Sequence, residues 1–264
     1  MPKGKVRADI LLVSRGLAES RAQAQRLILA GQVRAAGQVV PKPAVLLPEE
    51  ALLEVMQGPR FVSRGGEKLL AALEAFPLTV TGKVCADVGA STGGFTDCLL
   101  QHGAAKVYAI DVGKGILHWK LRNDPQVVVM EATNARYVEA LPEPIALATV
   151  DASFISLKVL LPVMRGWFGV EGGDVIALIK PQFEAGKREA ARGRGVIRDP
   201  AVHRRVLTEV LAFAQEHGYR VRNLRRSPVL GPKGNVEFLV WLMTSSVGED
   251  FSVISQWITR EVQR

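Results

Sequence analysis

Lys83-Val84-Cys85-Ala86-Asp87-Val88-Gly89-Ala90-Ser91-Thr92-Gly93-Gly94 is the stretch that decides the fold. A short apolar run ends in an acid, and a glycine-rich turn then opens a helical pattern that runs through Leu100. Glycines at a strand-to-helix turn let the backbone come close to a ligand. The same alternation continues outward. Residues 106–111, 127–131, 145–151 and 174–180 read as further strands, and a helix over 201–217 precedes strands at 219–224 and 237–243. Strands separated by helices predict an α/β fold with a mostly parallel, doubly wound sheet that binds ligands at the strands' C-terminal ends.

Composition narrows the class. The chain has 264 residues, 48% apolar and 23% charged, enough to bury a real core. Lys and Arg number 34 against 26 Asp and Glu, a net charge of +8 that weights the chain toward polyanion partners, nucleic acid first. Two cysteines and four scattered histidines make neither a disulfide framework nor a zinc pattern, so no metal is expected. No apolar run reaches the roughly 18 residues of a membrane span. Residues 1–5 lead into an amphipathic stretch rather than a signal-peptide core, which predicts a cytoplasmic protein.

Residues 1–57 read as a separate small domain, and 58–60 as a linker carrying breaker residues before a larger domain over 61–245. Ile10, Leu11, Val13 and Leu17 suggest a helix over 7–15. Ser20 and Gln23 form a capping box for a second helix over 21–30. A hairpin over 32–40 and a closing strand over 52–55 follow. Residues 1–60 hold nine basic and five acidic side chains.

The glycine-rich turn does not have the spacing of a dinucleotide fingerprint, and Asp87 would repel a pyrophosphate. An acid there suits the ammonium of a methionine moiety, which points to S-adenosyl-methionine. Asp111 closes the next strand, well placed for ribose hydroxyls. Asp151 and Lys180 also close strands, Glu237 opens the last strand, and Lys68 starts an apolar helix. If the last strand runs antiparallel, its start lies at the edge where the others end, so Asp151, Lys180 and Glu237 converge and the helix of Lys68 can lie across them. Such a group fits attack by a hydroxyl on a methyl sulfonium. Lys180 would take the proton, Lys68 would steady the developing alkoxide, and Asp151 and Glu237 would orient the lysines. A buried ion network without chemistry accounts for the same spacing equally well.

Asp9-Ile10-Leu11-Leu12, Arg15-Gly16, Ser20-Arg21-Ala22-Gln23-Ala24, Leu27-Ile28, Gly31, Val33 and Gly37 resemble the RNA-binding module named after the S-four ribosomal protein. That likeness implies RNA contacts from Arg7, Arg15, Arg21 and Arg26. The rest resembles the TlyA-type (haemolysin A) ribosomal RNA 2′-O-methyltransferases, whose catalytic domain is of the FtsJ/RrmJ kind. Phe61-Val62-Ser63-Arg64-Gly65-Gly66, Asp151-Ala152-Ser153-Phe154, Lys180-Pro181-Gln182-Phe183 and Ser227 through Glu237 carry the likeness. It implies a Rossmann-like class I methyltransferase sheet with its last strand antiparallel, after a small α+β RNA-binding domain. It places a catalytic tetrad on Lys68, Asp151, Lys180 and Glu237. The cofactor S-adenosyl-methionine is expected on Asp87, Gly89, Ala90, Ser91, Thr92, Gly93, Asp111 and Asn134. The implied reaction is cytidine 2′-O-methylation of ribosomal RNA in the large subunit and, for some members, the small one, with no role for DNA or membranes. Ile116 departs from the polar side chain expected there.

Residues 186–205 hold seven basic side chains among glycines and read as a flexible or RNA-ordered lid beside Lys180. Arg64, Lys187 and Arg188 are the RNA contacts expected of the larger domain. Residues 246–264 suggest a terminal helix packed on it through Phe251, Ile254, Ile258 and Val262. Two rival functions are a noncatalytic ribosome-assembly factor and a haemolysin. The intact tetrad and glycine loop argue against the first, and the lack of membrane-length segments argues against the second.

Overall fold

The computed structural model describes residues 4–56, 58–244 and 250–264, without the side chains of Lys187, Ala190 and Arg192. Gln57 and the first part of the terminal-helix segment, 246–249, lie outside the described residues. The chain divides into two compact units, 1–60 and 61–264.

The smaller unit contains β1 (Lys5–Arg7), α1 (Ala8–Ser14), α2 (Arg21–Leu29), β2 (Val33–Ala35), β3 (Gln38–Val39), β4 (Leu46–Pro48) and β5 (Leu53–Val55). Ser20 Oγ accepts from Gln23 N at 3.2 Å, as a capping residue should, while Gln23 Oε1 reaches back to Glu19 N at 2.7 Å. Strand β2 pairs antiparallel with β3 and β5. The β1–β4 pair was not foreseen, because three-residue strands carry no readable alternation. The buried face of α1 is Ala8, Leu11 and Leu12; Ile10 and Leu17 from the expected stripe are exposed. Ala8 and Leu12 pack with Ala18, Ala24, Ile28, Val33 and Val40. Beside them Asp9 is fully buried, and its carboxylate takes hydrogen bonds from Arg7, Arg21 and Gln25 at 2.9–3.0 Å.

The larger unit runs α3 (Gly65–Ala75), β6 (Val84–Val88), α4 (Gly94–Gln101), β7 (Lys106–Ile110), α5 (Trp119–Arg122), β8 (Val127–Met130), β9 (Leu147–Val150), α6 (Leu157–Met164) and β10 (Asp174–Ile179). It continues with α7 (Pro181–Glu184), α8 (Lys187–Arg192), α9 (Pro200–Glu216), β11 (Tyr219–Arg226), β12 (Phe238–Thr244) and α10 (Phe251–Gln263). The sheet order is β11-β12-β10-β9-β6-β7-β8. Strand β12 alone is reversed, antiparallel to both β10 and β11. Strand residues alternate between two cores, as the pleat requires. Cys85, Val107, Ile176 and Trp241 face the core that includes Leu69, Ala72 and Leu99 of α3 and α4. Ala86, Tyr108, Ala177 and Val240 face the core beneath α6, α9 and α10. Ile254, Ile258 and Val262 of α10 are buried in that second core.

The stretch expected to be a flexible lid is structured where described. It forms α8 and the start of α9, Asp199 caps α9 with Pro200 in its first turn, and Val196 and Ile197 are buried. Asn235 holds this stretch at Ile197 N and Gly195 O, and Arg205 pairs with Glu189 and Glu209. Its glycines and arginines suggested a solvated loop; two buried apolar residues and the asparagine clamp override that composition. Among the described residues no helix is long and apolar enough to cross a membrane.

Candidate active site

The site lies where the strand order reverses, at the C-terminal ends of β6 and β9. The loop after β6 continues the sheet, with Gly89 N and Ala90 N both donating to Ile110 O. Gly89 has φ +81°, and a β-carbon there would fall 2.9 Å from Ala152 Cα. Glycine is therefore what lets this loop press against the segment that carries Asp151. Asp111 ties the loop to its neighbour, accepting from Ser91 N at 2.8 Å and Gly113 N at 2.7 Å. Glu131, to which no role was assigned from sequence, grips the backbone N–H groups of Gly115, Ile116 and Leu117 at 2.7–3.0 Å. Arg122, 2.7 Å away, and those N–H groups hold its carboxyl down at about 2.

Two cavities open on this edge. The larger, about 500 Å³, is walled by Val88, Ile116, Ile155 and Leu160, with Asp111 and Asn134 as polar groups. The smaller, about 290 Å³, is lined by Ser63, Arg64, Lys68, Lys180 and Gly231 among others. Gly89, Ser91, Asp151 and Ser153 belong to both. Lys68 Nζ sits 2.7 Å from Glu237 Oε2 and 4.0 Å from Asp151 Oδ2. Lys180 Nζ sits 2.7 Å from Asp151 Oδ1 and donates to Asp151 O and Ser153 Oγ at 3.1 Å. Glu237 is fully buried and both lysines nearly so. The four residues do converge: β12 is reversed and begins at the edge where β9 and β10 end, and α3 brings Lys68 to Glu237. Each ammonium is paired with a carboxylate, and the group as a whole is formally neutral.

The other expected site residues divide. Ala90 and Thr92 line the smaller cavity, and Asp111 and Asn134 the larger. Gly93 lines neither and faces Leu117 and Leu121. Asp87, expected to meet a ligand ammonium, also lines neither cavity. It is fully buried, and its carboxyl accepts from Thr96 Oγ1 at 2.7 Å and Thr149 Oγ1 at 3.1 Å. The pleat of β6 turns it under the first turn of α4, and burial pushes its carboxyl up to about 7. Among the expected RNA contacts, Arg64 is exposed at the smaller cavity and Arg188 is exposed on α8, while the Lys187 side chain lies outside what is described. Arg26 is exposed; Arg7 and Arg21 spend hydrogen bonds on Asp9, and Arg15 bonds the carbonyls of Glu49 and Ala51. Ser63, Ser153 and Phe154 line the site and had no assigned role, although each lies in a quoted stretch next to a tetrad residue or the arginine. Phe154 is 90% exposed at φ +63°, with its ring 5.0 Å from that of Phe183.

Comparison with known proteins identifies the family. The FtsJ-like methyltransferase family matches residues 61–244, and the S4 domain matches 6–53. The chain is 47% identical over 246 residues to the 16S/23S rRNA (cytidine-2′-O)-methyltransferase TlyA of Mycobacterium tuberculosis, covering 92% of this chain and 91% of that protein. It is 41% identical to Hemolysin A of Brachyspira hyodysenteriae, covering 89% of this chain and 98% of that one. A solved structure from Streptococcus thermophilus, provisionally described as a hemolysin, superposes with a TM-score of 0.73 at 41% identity, over 98% of this chain and 96% of that one. The chain belongs to the FtsJ-like methyltransferase family and carries an S4 domain ahead of its methyltransferase fold.

Proposed function

We propose that the protein transfers a methyl group from S-adenosyl-methionine to the 2′-hydroxyl of a cytidine in ribosomal RNA. The observation that carries this reading is the wall of Asp151 and Ser153 shared by the two cavities, with both lysines in hydrogen-bonding or ion-pair reach of it. The larger cavity suits the cofactor: apolar walls for a flat purine, the Asp111 carboxylate for a ribose diol, and Asn134 for hydrogen bonding at the purine edge. The smaller cavity, with Arg64 at its rim, suits the acceptor ribose and its phosphate. Bound S-adenosyl-methionine supplies a methyl already activated on a sulfonium.

The chain's residues then handle the proton and the position of the hydroxyl. Lys180, whose Nζ is fixed 2.7 Å from Asp151 Oδ1, is the proposed acceptor of its proton. Lys68 steadies charge developing on the oxygen, and Asp151 and Glu237 fix where the two ammonium groups point. The S4 domain holds the RNA through exposed arginines such as Arg26. The Mycobacterium tuberculosis relative is named for cytidine in 16S and 23S RNA, which supports this base and these substrates.

The test is transfer of labelled methyl to isolated large and small ribosomal subunits, with Glu237→Ala and Lys180→Ala beside the wild type. Alkali-resistant 2′-O-methylcytidine is expected from the wild type and about 100-fold less from either variant. No label on either subunit, with RNA binding intact, would leave a noncatalytic RNA-binding factor. Lys180→Ala at the wild-type rate would remove Lys180 as the base.

A further inference from the structure

We infer that Gly231 is a positioning residue: its missing side chain is the slot that holds the Glu237 carboxylate against Lys68. This rests on the reading of Glu237 as part of the reacting group. Gly231 lies in the loop between β11 and β12 and lines the smaller cavity. Its backbone is not in the left-handed region (φ −72°), so a turn conformation does not explain the glycine. Space does. A β-carbon built on Gly231 would overlap Glu237 Oε1 and would lie 2.5 Å from Cδ and 3.2 Å from Cγ. Elsewhere the end of a long side chain could swing away at little cost. Here it cannot move freely, because Glu237 is fully buried, Oε2 is 2.7 Å from Lys68 Nζ, and Oε1 faces Gln182 Nε2 at 3.4 Å.

The loop itself is anchored independently of that carboxylate. Gly231 N donates to Asn235 O, and Asn235 in turn holds Gly195 and Ile197 of the neighbouring stretch. A methyl at position 231 therefore displaces the carboxylate rather than the loop. Lys68 then loses its closest partner and keeps Asp151 at 4.0 Å. Its ammonium turns toward Asp151, which already carries Lys180, so a change at one glycine reaches both lysines through two carboxylates.

A thermodynamic cycle tests this. Melting is measured for the wild type, Gly231→Ala, Glu237→Ala and the double variant. Gly231→Ala is expected to lower the melting temperature by about 4 °C when Glu237 is present and to leave it unchanged when Glu237→Ala has removed the side chain it would strike. Equal losses in both backgrounds would overturn the inference, because a merely structural glycine does not depend on Glu237. In methyl transfer, Gly231→Ala is expected to cut kcat about 100-fold with KM for S-adenosyl-methionine unchanged. Glu237→Asp, which retracts the carboxylate by one methylene, should make the added Gly231→Ala cost much smaller. A Gly231→Ala enzyme at wild-type kcat, beside an inactive Glu237→Ala, would equally overturn it. Should Glu237→Ala prove fully active, the fault lies with the catalytic reading of Glu237, and the melting cycle alone decides what Gly231 holds.

Discussion

Asp9 and Asp87 are both fully buried, one in each unit, yet their surroundings drive them in opposite directions. Asp9 sits between Arg7 and Arg21 with Gln25 as a third donor, and its carboxyl is held far below the usual range despite burial. Asp87 is held by two threonine hydroxyls and the backbone of Thr96, with Asp151 as a nearby like charge, and burial pushes it up to about 7. Burial is common to both. The presence of a cation decides the outcome. The smaller unit uses its buried acid as the hub that joins β1, α1 and α2, which suits a domain too small to rely on apolar burial alone. The larger unit has apolar cores on both faces of its sheet and tolerates an acid that is uncomfortable when charged.

The largest expected effect lies at Asp87. Its folded value stands above its unfolded value near 4, so its contribution to stability is full below about pH 4 and is lost as pH rises toward about 7. Over that window the loss amounts to about 4 kcal/mol at most, from a rise of about three units at 1.36 kcal/mol each. Asn can serve the same two threonines, donating to one and accepting from the other. Asp87→Asn is therefore expected to match the wild type near pH 4 and to be the more stable protein above pH 7. All four tryptophans, Trp119, Trp167, Trp241 and Trp257, belong to the larger unit, so urea melts followed by their fluorescence report it alone. A difference between the two proteins that stayed constant from pH 4 to 8 would show that burial does not control Asp87.

Asp9→Asn should do the reverse. With its carboxyl depressed, Asp9 stabilises the fold above about pH 4, and that stability is lost as pH falls further. The variant is expected to lose about 2–3 kcal/mol at neutral pH. That is below the range for breaking a fully buried pair, because Arg7 and Arg21 remain part-exposed to water. Faster hydrogen exchange at the amides of Ala24 and Ile28, with unchanged tryptophan melts, is the signature to look for. Unaltered exchange at those amides would mean that the hub carries no stability.

The different fates of these two acids also mark how far the sequence could be read. The central strands of the larger unit, β6, β9, β10 and β12, were legible because each is a mainly apolar run buried on both faces, and the bounds of all seven fall within a residue or two of the expected ones. Convergence of Asp151, Lys180 and Glu237 was legible because strand ends alone fix it, and Lys68 joins them from α3. Which way Asp87 points was not. It shares a face of β6 with Cys85, under α4, and only the packing of α4 turns that face into a closed interior. Gly231 was opaque for a related reason: the group it accommodates lies six positions on, beyond a turn, and no local pattern announces a gap left for a side chain. Residues 186–205 misled through composition up to Asp199-Pro200, where the helix read over 201–217 does begin.

The smallest effect sharpens the comparison inside the S4 domain, between an arginine tied to the buried acid and one that is exposed. Arg21 gives its Nε to Asp9 and Arg26 is exposed on the same helix. Arg26→Ala is expected to leave exchange at Ala24 and Ile28 as it was and to lower the slope of log affinity for ribosomal RNA against log salt by about 0.7–0.9, the release of one phosphate's counterion. Arg21→Ala should move both quantities, since it withdraws a donor from the hub as well as a charge from the surface. The two measurements together separate the roles. An Arg26→Ala protein with an unchanged salt slope would take the RNA path off the exposed face of α2. An Arg21→Ala protein with unchanged exchange would mean that Arg7 and Gln25 alone hold Asp9, and would leave Arg21 free to serve RNA entirely.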